Sequence, residues 1–257
     1  MWYTLSVLYV KGDLLMEIKI FKTAEEIGVE AAKIFTDTVK AKPDCVLGLA
    51  TGASPIPTYQ NIIKTYNEGG ISFADVKTYN LDEYCDLPQA DKNSYYTFMH
   101  EQLFNSLDIK EENVHFLDGN AEDTAAECAR YDAEINNAGG IDVQLLGIGN
   151  NAHIGFNEPA DKFTVGSFKV KLTDSTINAN KIYFDEGAMP HYALTMGIEQ
   201  IMRAKKVVLI ATGIKKAAAI KNMVEGEVTP QVPASILQKH EDVVIFLDEE
   251  AASLLKK

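Results

Sequence analysis

The sequence predicts an α/β protein built on a doubly wound, mostly parallel sheet with helices on both faces. Two observations lead to this prediction. Short apolar runs of strand length alternate with longer segments in which apolar residues recur at helical spacing, which is the pattern of consecutive βα units. The short runs are also almost wholly apolar, as expected for strands covered by helices on both faces of a parallel sheet. We therefore expect a single Rossmann-like domain.

The predicted elements follow one another along the chain. Each predicted strand is a run rich in Val, Ile or Leu, and each predicted helix has an amphipathic pattern. The strands are predicted at residues 17–21, 45–50, 76–81, 114–117, 143–148, 207–212 and 243–247, and the helices at 24–40, after Pro55, at 124–137 and at 215–224. Residues 159–190 lack strong strand signals and contain Gly166 and Gly187, so we expect a lid over a binding site there.

Composition limits the kinds of partner. With 257 residues, 46% apolar and 24% charged, the chain is long and apolar enough for one domain with a sizeable core. A net charge of −13 argues against nucleic acid and anionic membranes as partners, and no apolar window approaches the roughly 20 residues of a membrane span. Cys45, Cys85 and Cys128 form no CxxC pair, which predicts neither a disulfide framework nor a zinc site and favours a reducing cytoplasm.

Residues 1–15 look unlike the rest of the chain. Their apolar stretch at residues 2–10 follows no basic residue and precedes no small-residue cleavage site, so it is a poor signal peptide. Residues 11–13 (KGD) can be encoded by a purine-rich stretch of the kind that bacteria place before a start codon. We therefore expect translation to begin at Met16, with residues 1–15 a non-native or mis-assigned extension and residues 16–257 the domain. Sequencing of the native N-terminus tests this.

The most informative segment is the loop at residues 147–159, GIGNNAHIGFNEP, which follows a predicted strand. Strand ends are where open α/β sheets bind ligands, and Glu158 can orient the imidazole of His153 as a carboxylate does in acid/base catalysis. A histidine with a purely structural hydrogen bond is the alternative. The GxGxxA pattern here also fits a dinucleotide site loosely. Gly155 and Pro159 interrupt the segment where the helix of such a site belongs, so we expect neither a nicotinamide nor a flavin.

Two further clusters after predicted strands suggest an anion site. The first is a turn of small residues before a helix: Thr51, Gly52, Ala53 and Ser54. Such a turn directs backbone N–H groups and the positive end of the helix towards a ligand, although Ser54 could instead simply cap the helix. The second is Lys215 and Lys216 at another predicted helix start, where the helix dipole disfavours a lysine unless an anion is bound there.

Paired acids, Asp82 and Glu83, follow the predicted strand at residues 76–81. Such residues are often solvated turn residues, but an aspartate facing a crevice can abstract a proton if partial burial raises its pKa. Together with the anion site and the pair formed by His153 and Glu158, Asp82 predicts acid/base chemistry on a phosphorylated small molecule. No metal-ligand spacing is present in the sequence.

Four motifs resemble the glucosamine-6-phosphate deaminase (isomerase) family: LGLATGASP, NLDEY followed by SYYTFMHEQLF, GIGNNAHIGFNEPA, and VPASILQKH. They occur in that order along the chain, and the match covers nearly all of residues 16–248. The resemblance implies conversion of glucosamine 6-phosphate and water to fructose 6-phosphate and ammonia, without a metal or an organic cofactor. It makes Asp82 the base that moves a proton between C2 and C1 through an enediol. It makes His153 the acid/base for ring opening, with Glu158 as its charge partner and Asn151 at a third ring-opening position. The resemblance places the phosphate against Thr51, Gly52, Ala53, Ser54 and Lys216.

Three positions depart from the family's pattern. Asn151 stands where many members have aspartate, and an amide can orient its neighbours but cannot take a proton. Ala152 stands where the family has glycine, so a positive φ there implies strain of about 1 kcal/mol. Ile182 stands where the family usually has an arginine that clamps the phosphate, and the neighbouring Lys181 is a point charge rather than a bidentate fork. We therefore expect weaker phosphate binding or a different sugar.

Alternatives stay open at this point. A 6-phosphogluconolactonase resembles this fold and shares a similar phosphate turn, but residues 157–159 (NEP) favour the deaminase. A deaminase for another amino-sugar phosphate, such as galactosamine 6-phosphate, is compatible with Ile182. A non-catalytic sugar-phosphate sensor is a third alternative, although such regulators normally carry a DNA-binding helix-turn-helix. The length from Met16 resembles that of members without the C-terminal segment of the allosteric hexamers, so we expect a monomer, with a homo-oligomer as the alternative.

Overall fold

Strands and helices alternate along the chain in the computed structural model, which describes residues 5–11, 14–180, 184 and 189–256. The strands are β1 Leu5–Lys11, β2 Leu14–Phe21, β3 Val46–Leu49, β4 Lys77–Asn80, β5 Asp82–Tyr84, β6 Val114–His115, β7 Val143–Leu146, β8 Phe168–Lys171, β9 Tyr192–Thr195, β10 Lys206–Ala211 and β11 Val243–Asp248. The helices are α1 Ala24–Ala41, α2 Ile56–Asn67, α3 Tyr95–Gln102, α4 Thr124–Asn137, α5 Asp174–Asn180, α6 Ile198–Met202 and α7 Ala217–Glu225.

Eight strands form the main sheet in the order β1-β2-β11-β10-β7-β3-β4-β6. All neighbours from β2 to β6 pair in parallel, and β1 pairs antiparallel with β2. Strands β3 and β7 are adjacent in the sheet. After β3 the chain extends the sheet in one direction, through β4 to β6, and after β7 it extends the sheet in the opposite direction, through β10 to β11. Because crossovers between parallel strands are right-handed, α1 and α2 cover one face and α4 and α7 the other. The predicted doubly wound α/β fold is confirmed, with its switch point between β3 and β7.

The seven predicted strands are confirmed with small shifts at their ends, and α4 has the predicted bounds. The first of these strands, β2, begins at Leu14 rather than at Glu17. Residues 5–11 form β1, whose pairing with β2 runs from Leu5 opposite Ile20 to Lys11 opposite Leu14. Whether residues 1–15 belong to the native chain stays a prediction, and residues 1–4 and 12–13 lie outside the described part.

Two buried tyrosines fix the strand ends that lead into the candidate site. Tyr59 of α2 donates its hydroxyl proton to the carbonyl oxygen of Ala50 at 2.5 Å, just after β3. Tyr131 of α4 donates to the carbonyl oxygen of Asn80 at 2.7 Å, at the end of β4. Both side chains are fully buried, so each combines apolar packing against the sheet with a satisfied polar tip. One tyrosine from each face therefore holds the backbone immediately before the turn at residue 51 and before Asp82.

A second, three-stranded antiparallel sheet, in the order β5-β9-β8, was not predicted from the sequence. Residues 159–190, which lack strong strand signals, nevertheless contain β8 and α5, and a lid role for this segment stays a prediction. The strands of this sheet have only three or four residues, too short for a periodic pattern to identify them. The interpretation of Lys181 and Ile182 concerns residues 181–183, which lie outside the described part, as do residues 185–188.

Two expectations from composition can be compared with the structure. Cys45, Cys85 and Cys128 are free and buried, and burial raises the pKa of the Cys45 thiol to about 12 and those of the other two to about 11. These thiols are therefore protonated near neutral pH and pack as small apolar side chains. Among the described helices, none combines the length and the apolar character needed to cross a membrane.

Candidate active site

The carboxyl ends of β3, β4, β7 and β10 meet around a cavity of about 350 Å³. This cavity lies at the switch point between β3 and β7, where open α/β sheets bind ligands. The predicted site residues that line it are Thr51, Gly52, Ala53, Ser54, Asp82, Asn151, His153 and Lys216. The remaining predicted residue, Glu158, contacts His153 instead. No group of three His, Cys, Asp or Glu side chains within the described ranges is arranged to hold a metal ion.

The turn after β3 is open towards the cavity. Gly52 has a φ of 93°, a conformation that favours glycine, and apart from its two chain neighbours no residue lies within 4 Å of where its Cβ would be. Helix α2 begins at Ile56 without a side-chain cap, so the alternative in which Ser54 caps the helix is wrong. The positive end of α2 therefore lies just beyond a turn of small residues that lines the cavity, an arrangement that suits an anion.

Lys216 reaches the cavity, whereas Lys215 is exposed. Burial lowers the pKa of Lys216, as expected for an ammonium group that has lost part of its hydration. The predicted helix at residues 215–224 begins instead with a 3-10 turn, Ile214–Lys216, before α7. The N–H of Gly213 at this start donates to Oδ2 of Asp248 at 2.8 Å. An acidic side chain thus already occupies a donor at this helix start, and Lys216 contributes to the cavity through its ammonium group.

Asp82 and Glu83 are both buried, which rules out the alternative that they are solvated turn residues. Glu83 accepts hydrogen bonds from the backbone N–H groups of Tyr84, Tyr95 and Tyr96 at 2.8 to 2.9 Å, and it thereby joins β5 to the start of α3. Burial raises the pKa of Glu83, and these three bonds act in the opposite sense. For Asp82, burial and the charge of Glu83 raise the pKa to about 8. The cavity therefore contains a carboxyl group that can exchange a proton near neutral pH.

The predicted pair of His153 and Glu158 is present in the structure. Nδ1 of His153 lies 3.4 Å from Oε1 of Glu158. Asn151 donates from Nδ2 to the other carboxylate oxygen, Oε2, at 2.6 Å, so its amide orients Glu158 rather than taking a proton. Burial works against ionisation of Glu158, but the ion-pair contact with His153 and the hydrogen bonds from Thr176 and Asn151 lower its pKa to about 2. Glu158 is therefore a carboxylate at neutral pH and can stabilise a protonated imidazole.

The loop that carries His153 has two unusual backbone positions. A Cβ on Gly149 would lie 2.3 Å from Cε1 of His153, so only glycine allows the ring to pack there. Ala152 has a φ of 65°, the left-handed conformation that makes the departure from glycine a source of strain. The carbonyl oxygen of Ala152 accepts a hydrogen bond from the N–H of Ala234 at 2.9 Å. The segment around residue 234 thus helps to hold the loop in this strained conformation.

Sequence reasoning missed two residues that line the cavity, Tyr95 and Thr176. Tyr95 is the first residue of α3, stacks on Phe156 and has a hydroxyl 3.2 Å from that of Tyr84. Burial raises its pKa well above 10 and a hydrogen bond to Thr51 acts in the opposite sense, so the phenol stays protonated. Thr176 belongs to α5. The one available signal for Tyr95 was the motif SYYTFM, in which Ser94 caps α3 and so fixes where the helix begins.

His240, the last residue of the motif VPASILQKH, is structural. It is buried, with Nε2 2.8 Å from the carbonyl oxygen of Ala204, while Nδ1 accepts from the N–H of Asp242 at 3.0 Å. Both ring nitrogens are therefore engaged with the backbone. The motif forms the 3-10 helix Pro233–Lys239, and it acts on the site from outside by supporting the loop of His153.

A doubly wound sheet has at its switch point a turn of small residues, a buried carboxyl group and a His–Glu pair, which is an arrangement suited to acid/base enzymes that act on small molecules. Residues 21–246 match the model of the family described as glucosamine-6-phosphate isomerases/6-phosphogluconolactonase. A glucosamine-6-phosphate deaminase of Thermoanaerobacter sp. is 48% identical over 241 residues, which is 93% of this chain and 95% of that protein. One of Lysinibacillus sphaericus is 52% identical over 225 residues, 87% of this chain and 95% of that protein. The chain belongs to the glucosamine-6-phosphate deaminase family.

Solved structures agree with this assignment. A monomeric glucosamine-6-phosphate deaminase superposes with a TM-score of 0.90 at 43% identity, over 92% of this chain and 99% of that one. A 6-phosphogluconolactonase from Trypanosoma brucei superposes with a TM-score of 0.71 at 20% identity, over 93% of this chain and 98% of that one. At that identity the likeness shows a shared fold alone.

Proposed function

We propose that the protein converts glucosamine 6-phosphate and water to fructose 6-phosphate and ammonia. The observation that carries this proposal is the placement of Asp82 in one cavity with His153, which is paired with Glu158. Ring opening requires a group that moves a proton between two oxygens, and isomerisation requires a carboxylate that reaches two adjacent carbons. The two halves of the cavity offer one group for each task. Membership of the deaminase family supports the same reaction.

Ring opening is assigned to His153. The imidazole takes the proton from the anomeric hydroxyl at C1 and delivers it to the ring oxygen, so the C1–O5 bond breaks and an aldehyde forms at C1. Glu158, 3.4 Å from Nδ1, stabilises the imidazolium that exists between the two transfers. Asn151 holds the second oxygen of that carboxylate at 2.6 Å. The aspartate that many relatives have at this position is therefore replaced here by an orienting amide.

Isomerisation is assigned to Asp82. In its ionised form the carboxylate removes the proton from C2 while the substrate's ammonium group supplies a proton to O1, which gives an enediol-type intermediate with the amino group on C2. Asp82 then returns its proton to C1, and the C2–N bond becomes that of an iminium group. Addition of water at C2 and departure of ammonia then give the ketone. Gly155 of the opposite loop passes near this carboxyl group, since a Cβ there would lie 3.5 Å from Oδ2 of Asp82. A residue without a side chain keeps the carboxylate accessible to the sugar carbons.

The phosphate is assigned to the turn after β3 and to Lys216. The turn and Lys216 line the cavity, and the positive end of α2 lies just beyond the turn. Each of these features favours an anion. The hypothesis of a lost clamp at Ile182 remains part of this proposal, with galactosamine 6-phosphate as the alternative substrate. Ile182→Arg is expected to lower KM for glucosamine 6-phosphate, and an unchanged KM contradicts a lost clamp.

We also propose a monomer that acts in amino-sugar breakdown in the bacterial cytoplasm. The solved relative with 43% identity is monomeric, and the curated relatives cited above are bacterial. The buried, reduced cysteines are compatible with a reducing compartment. Sedimentation of the purified protein at several concentrations tests the monomer, and a stable dimer contradicts it.

The reaction is tested by measuring ammonia release from glucosamine 6-phosphate and galactosamine 6-phosphate, with hydrolysis of 6-phosphogluconolactone followed in parallel. We expect turnover of glucosamine 6-phosphate and its loss in Asp82→Asn. Turnover of the lactone alone supports the lactonase. Tight binding of sugar phosphates without any turnover supports a sensor and overturns the proposed reaction.

A further inference from the structure

The carboxylate of Glu158 is hydrogen-bonded by side chains from two separate segments. Asn151, on the loop after β7, donates to Oε2 at 2.6 Å. Thr176, on α5, donates to Oε1 at 2.6 Å. Oε1 is also the oxygen that faces Nδ1 of His153 at 3.4 Å. One short hydrogen bond on each oxygen therefore fixes the carboxylate in front of the imidazole, and one of these two bonds comes from the segment at residues 159–190.

The start of helix α5 lies beside the carboxylate of Glu158. The hydroxyl of Thr173 lies 3.3 Å from Oε1 of Glu158, and it accepts a hydrogen bond from the N–H of Thr176 at 3.3 Å. The hydroxyl of Thr173 also lies 3.1 Å from that of Thr176, to which it can donate. Thr176 is 5% exposed, and its only hydroxyl proton goes to Glu158. Although Thr176 lines the cavity, it has no proton left to donate to a ligand.

We propose that Thr176 is a positioning residue for ring opening, whose hydroxyl holds the Glu158 carboxylate with Oε1 towards His153. This inference rests on the proposed function. The terminal torsion of a glutamate has a broad energy minimum, so the carboxylate plane needs two anchors to keep one oxygen in place. Asn151 supplies one anchor and Thr176 the other. The alignment of the acid/base pair thus depends on α5 remaining docked.

Two substitutions separate the hydroxyl from the shape of the side chain. Thr176→Val keeps the branched shape and removes the donor, and we expect kcat to fall about tenfold with KM changed less than about twofold. Thr176→Ser keeps the donor and is expected to stay within about threefold of the wild type. Asn178→Ala, at an exposed position of the same helix, is the matched control and leaves kcat unchanged. If the valine variant does not fold, Thr176→Ala replaces it.

A double-mutant cycle decides whether Thr176 acts through Glu158. In a Glu158→Gln background, Thr176→Val is expected to cause no further loss of kcat beyond about twofold, because the carboxylate that it positions is gone. An equal loss in both backgrounds overturns the inference. So does a rise in KM without a fall in kcat, since that result indicates a direct contact with the substrate.

A structural measurement keeps this inference separate from the proposed function. In a crystal structure of ligand-free Thr176→Val we expect the carboxylate of Glu158 to rotate and the Oε1–Nδ1 distance to increase beyond about 4 Å, outside the range of an ion pair. The distance in Thr176→Ser stays near 3.4 Å. An unchanged carboxylate in the valine variant overturns the role of Thr176. A wild-type protein that releases no ammonia overturns the proposed function, while the crystal structures still show whether Thr176 positions Glu158.

Discussion

Asp82 and Glu83 are consecutive residues of one buried strand, yet their carboxyl groups have opposite surroundings. Glu83 accepts three backbone hydrogen bonds. Within the described ranges no hydrogen bond reaches the carboxyl group of Asp82, and its pKa is set by burial and by the charge of Glu83. The carboxyl group of Glu83 is thus a structural anchor, and that of Asp82 is left free to exchange a proton. This contrast leads to the first three predictions.

The pH dependence of the reaction should report the ionisation of Asp82. A base must be ionised to accept the C2 proton, and the pKa of Asp82 is raised to about 8. We therefore expect kcat/KM to rise with pH and to level off above about pH 8, since this parameter reports the free enzyme. Asp82→Asn should reduce kcat by a factor of about 10² to 10⁴. Initial rates measured from about pH 6 to pH 10 check this, and a profile that is flat over that range contradicts it.

The same carboxyl group should destabilise the fold at alkaline pH. The folded protein holds the Asp82 proton more tightly than the unfolded chain, so stability falls as pH rises from the ordinary value of 3.8 to about 8. Asp82→Asn should therefore raise the free energy of unfolding at pH 8 and above by a few kcal/mol, at about 1.4 kcal/mol per pKa unit. Urea titration measures the change. Unchanged or lower stability of the variant at that pH argues against a raised pKa.

Asp142 is the matched control for this stability prediction. It is buried like Asp82, but Lys42 and Lys205 lie 2.8 and 2.7 Å from its oxygens, and its pKa is lowered despite burial. Its contribution to stability is present above the ordinary value of 3.8 and is lost as pH falls through its lowered pKa. Asp142→Asn should therefore reduce stability at pH 8 by roughly 2 kcal/mol, the opposite sign to Asp82→Asn.

Glu83→Gln should move the pH profile. Removal of the negative charge takes away one of the two causes that raise the pKa of Asp82, so the rise of kcat/KM should shift to lower pH. The amide has one acceptor oxygen for three N–H groups, and we expect a loss of about 1 to 3 kcal/mol of stability. Asp86→Asn, at an exposed position nearby, should leave the profile unchanged. A profile for Glu83→Gln that stays in place would show that Glu83 is uncharged beside Asp82.

Lys216→Met should weaken phosphate binding. A hydrogen bond to a charged group contributes about 1.5 to 3 kcal/mol, so we expect KM to rise by roughly 10- to 100-fold with a smaller change in kcat. Lys215→Met is the control, because Lys215 is exposed and does not line the cavity, and its KM should stay within about twofold. Competitive inhibition by inorganic phosphate should weaken in parallel in Lys216→Met. Equal effects of the two substitutions contradict the assignment.

Ala152→Gly should stabilise the protein. The φ of 65° is strained for alanine and ordinary for glycine, so relief of about 0.5 to 1 kcal/mol is expected, less a small loss of buried methyl surface. Asp86 also has a positive φ, 58°, but aspartate tolerates this conformation better. Asp86→Gly should therefore give a smaller gain. Denaturant midpoints of both variants check the order, and a destabilised Ala152→Gly contradicts the strain.

The parallel sheet is the reason why much of the site could be predicted from the sequence. Each apolar run marks a strand, and the polar residues after the run lie at one edge, as Thr51 does after β3 and Asp82 after β4. His153 was found in the same way after β7, and Lys216 after β10. The positive φ of Ala152 could be stated in advance only as a condition, because a sequence does not show which of its backbone positions are left-handed.

The rest of the site depends on contacts that no local pattern encodes. Thr176 reaches Glu158 because β8 and β9 form a sheet with β5, and these strands are too short to show a period. Tyr95 reaches the cavity because Glu83 binds the start of α3. Both arrangements join segments that are separated along the chain, and tertiary packing decides them. The alternative in which Ser54 caps α2 is wrong for a related reason, because a turn residue beside a cavity need not bond its own helix.

The small sheet also has a consequence for engineering. Thr195 of β9 lies opposite Asp82 on one side and opposite Phe168 of β8 on the other. The strand that carries the proposed base and the strand that leads into α5 are therefore neighbours of the same central strand. A chimaera that imports residues 159–190 from a relative but keeps its own β9 would create a foreign pairing between β8 and β9, and β9 is the strand next to Asp82. Exchange of β5, β8 and β9 as one unit is the transplant that preserves their spacing.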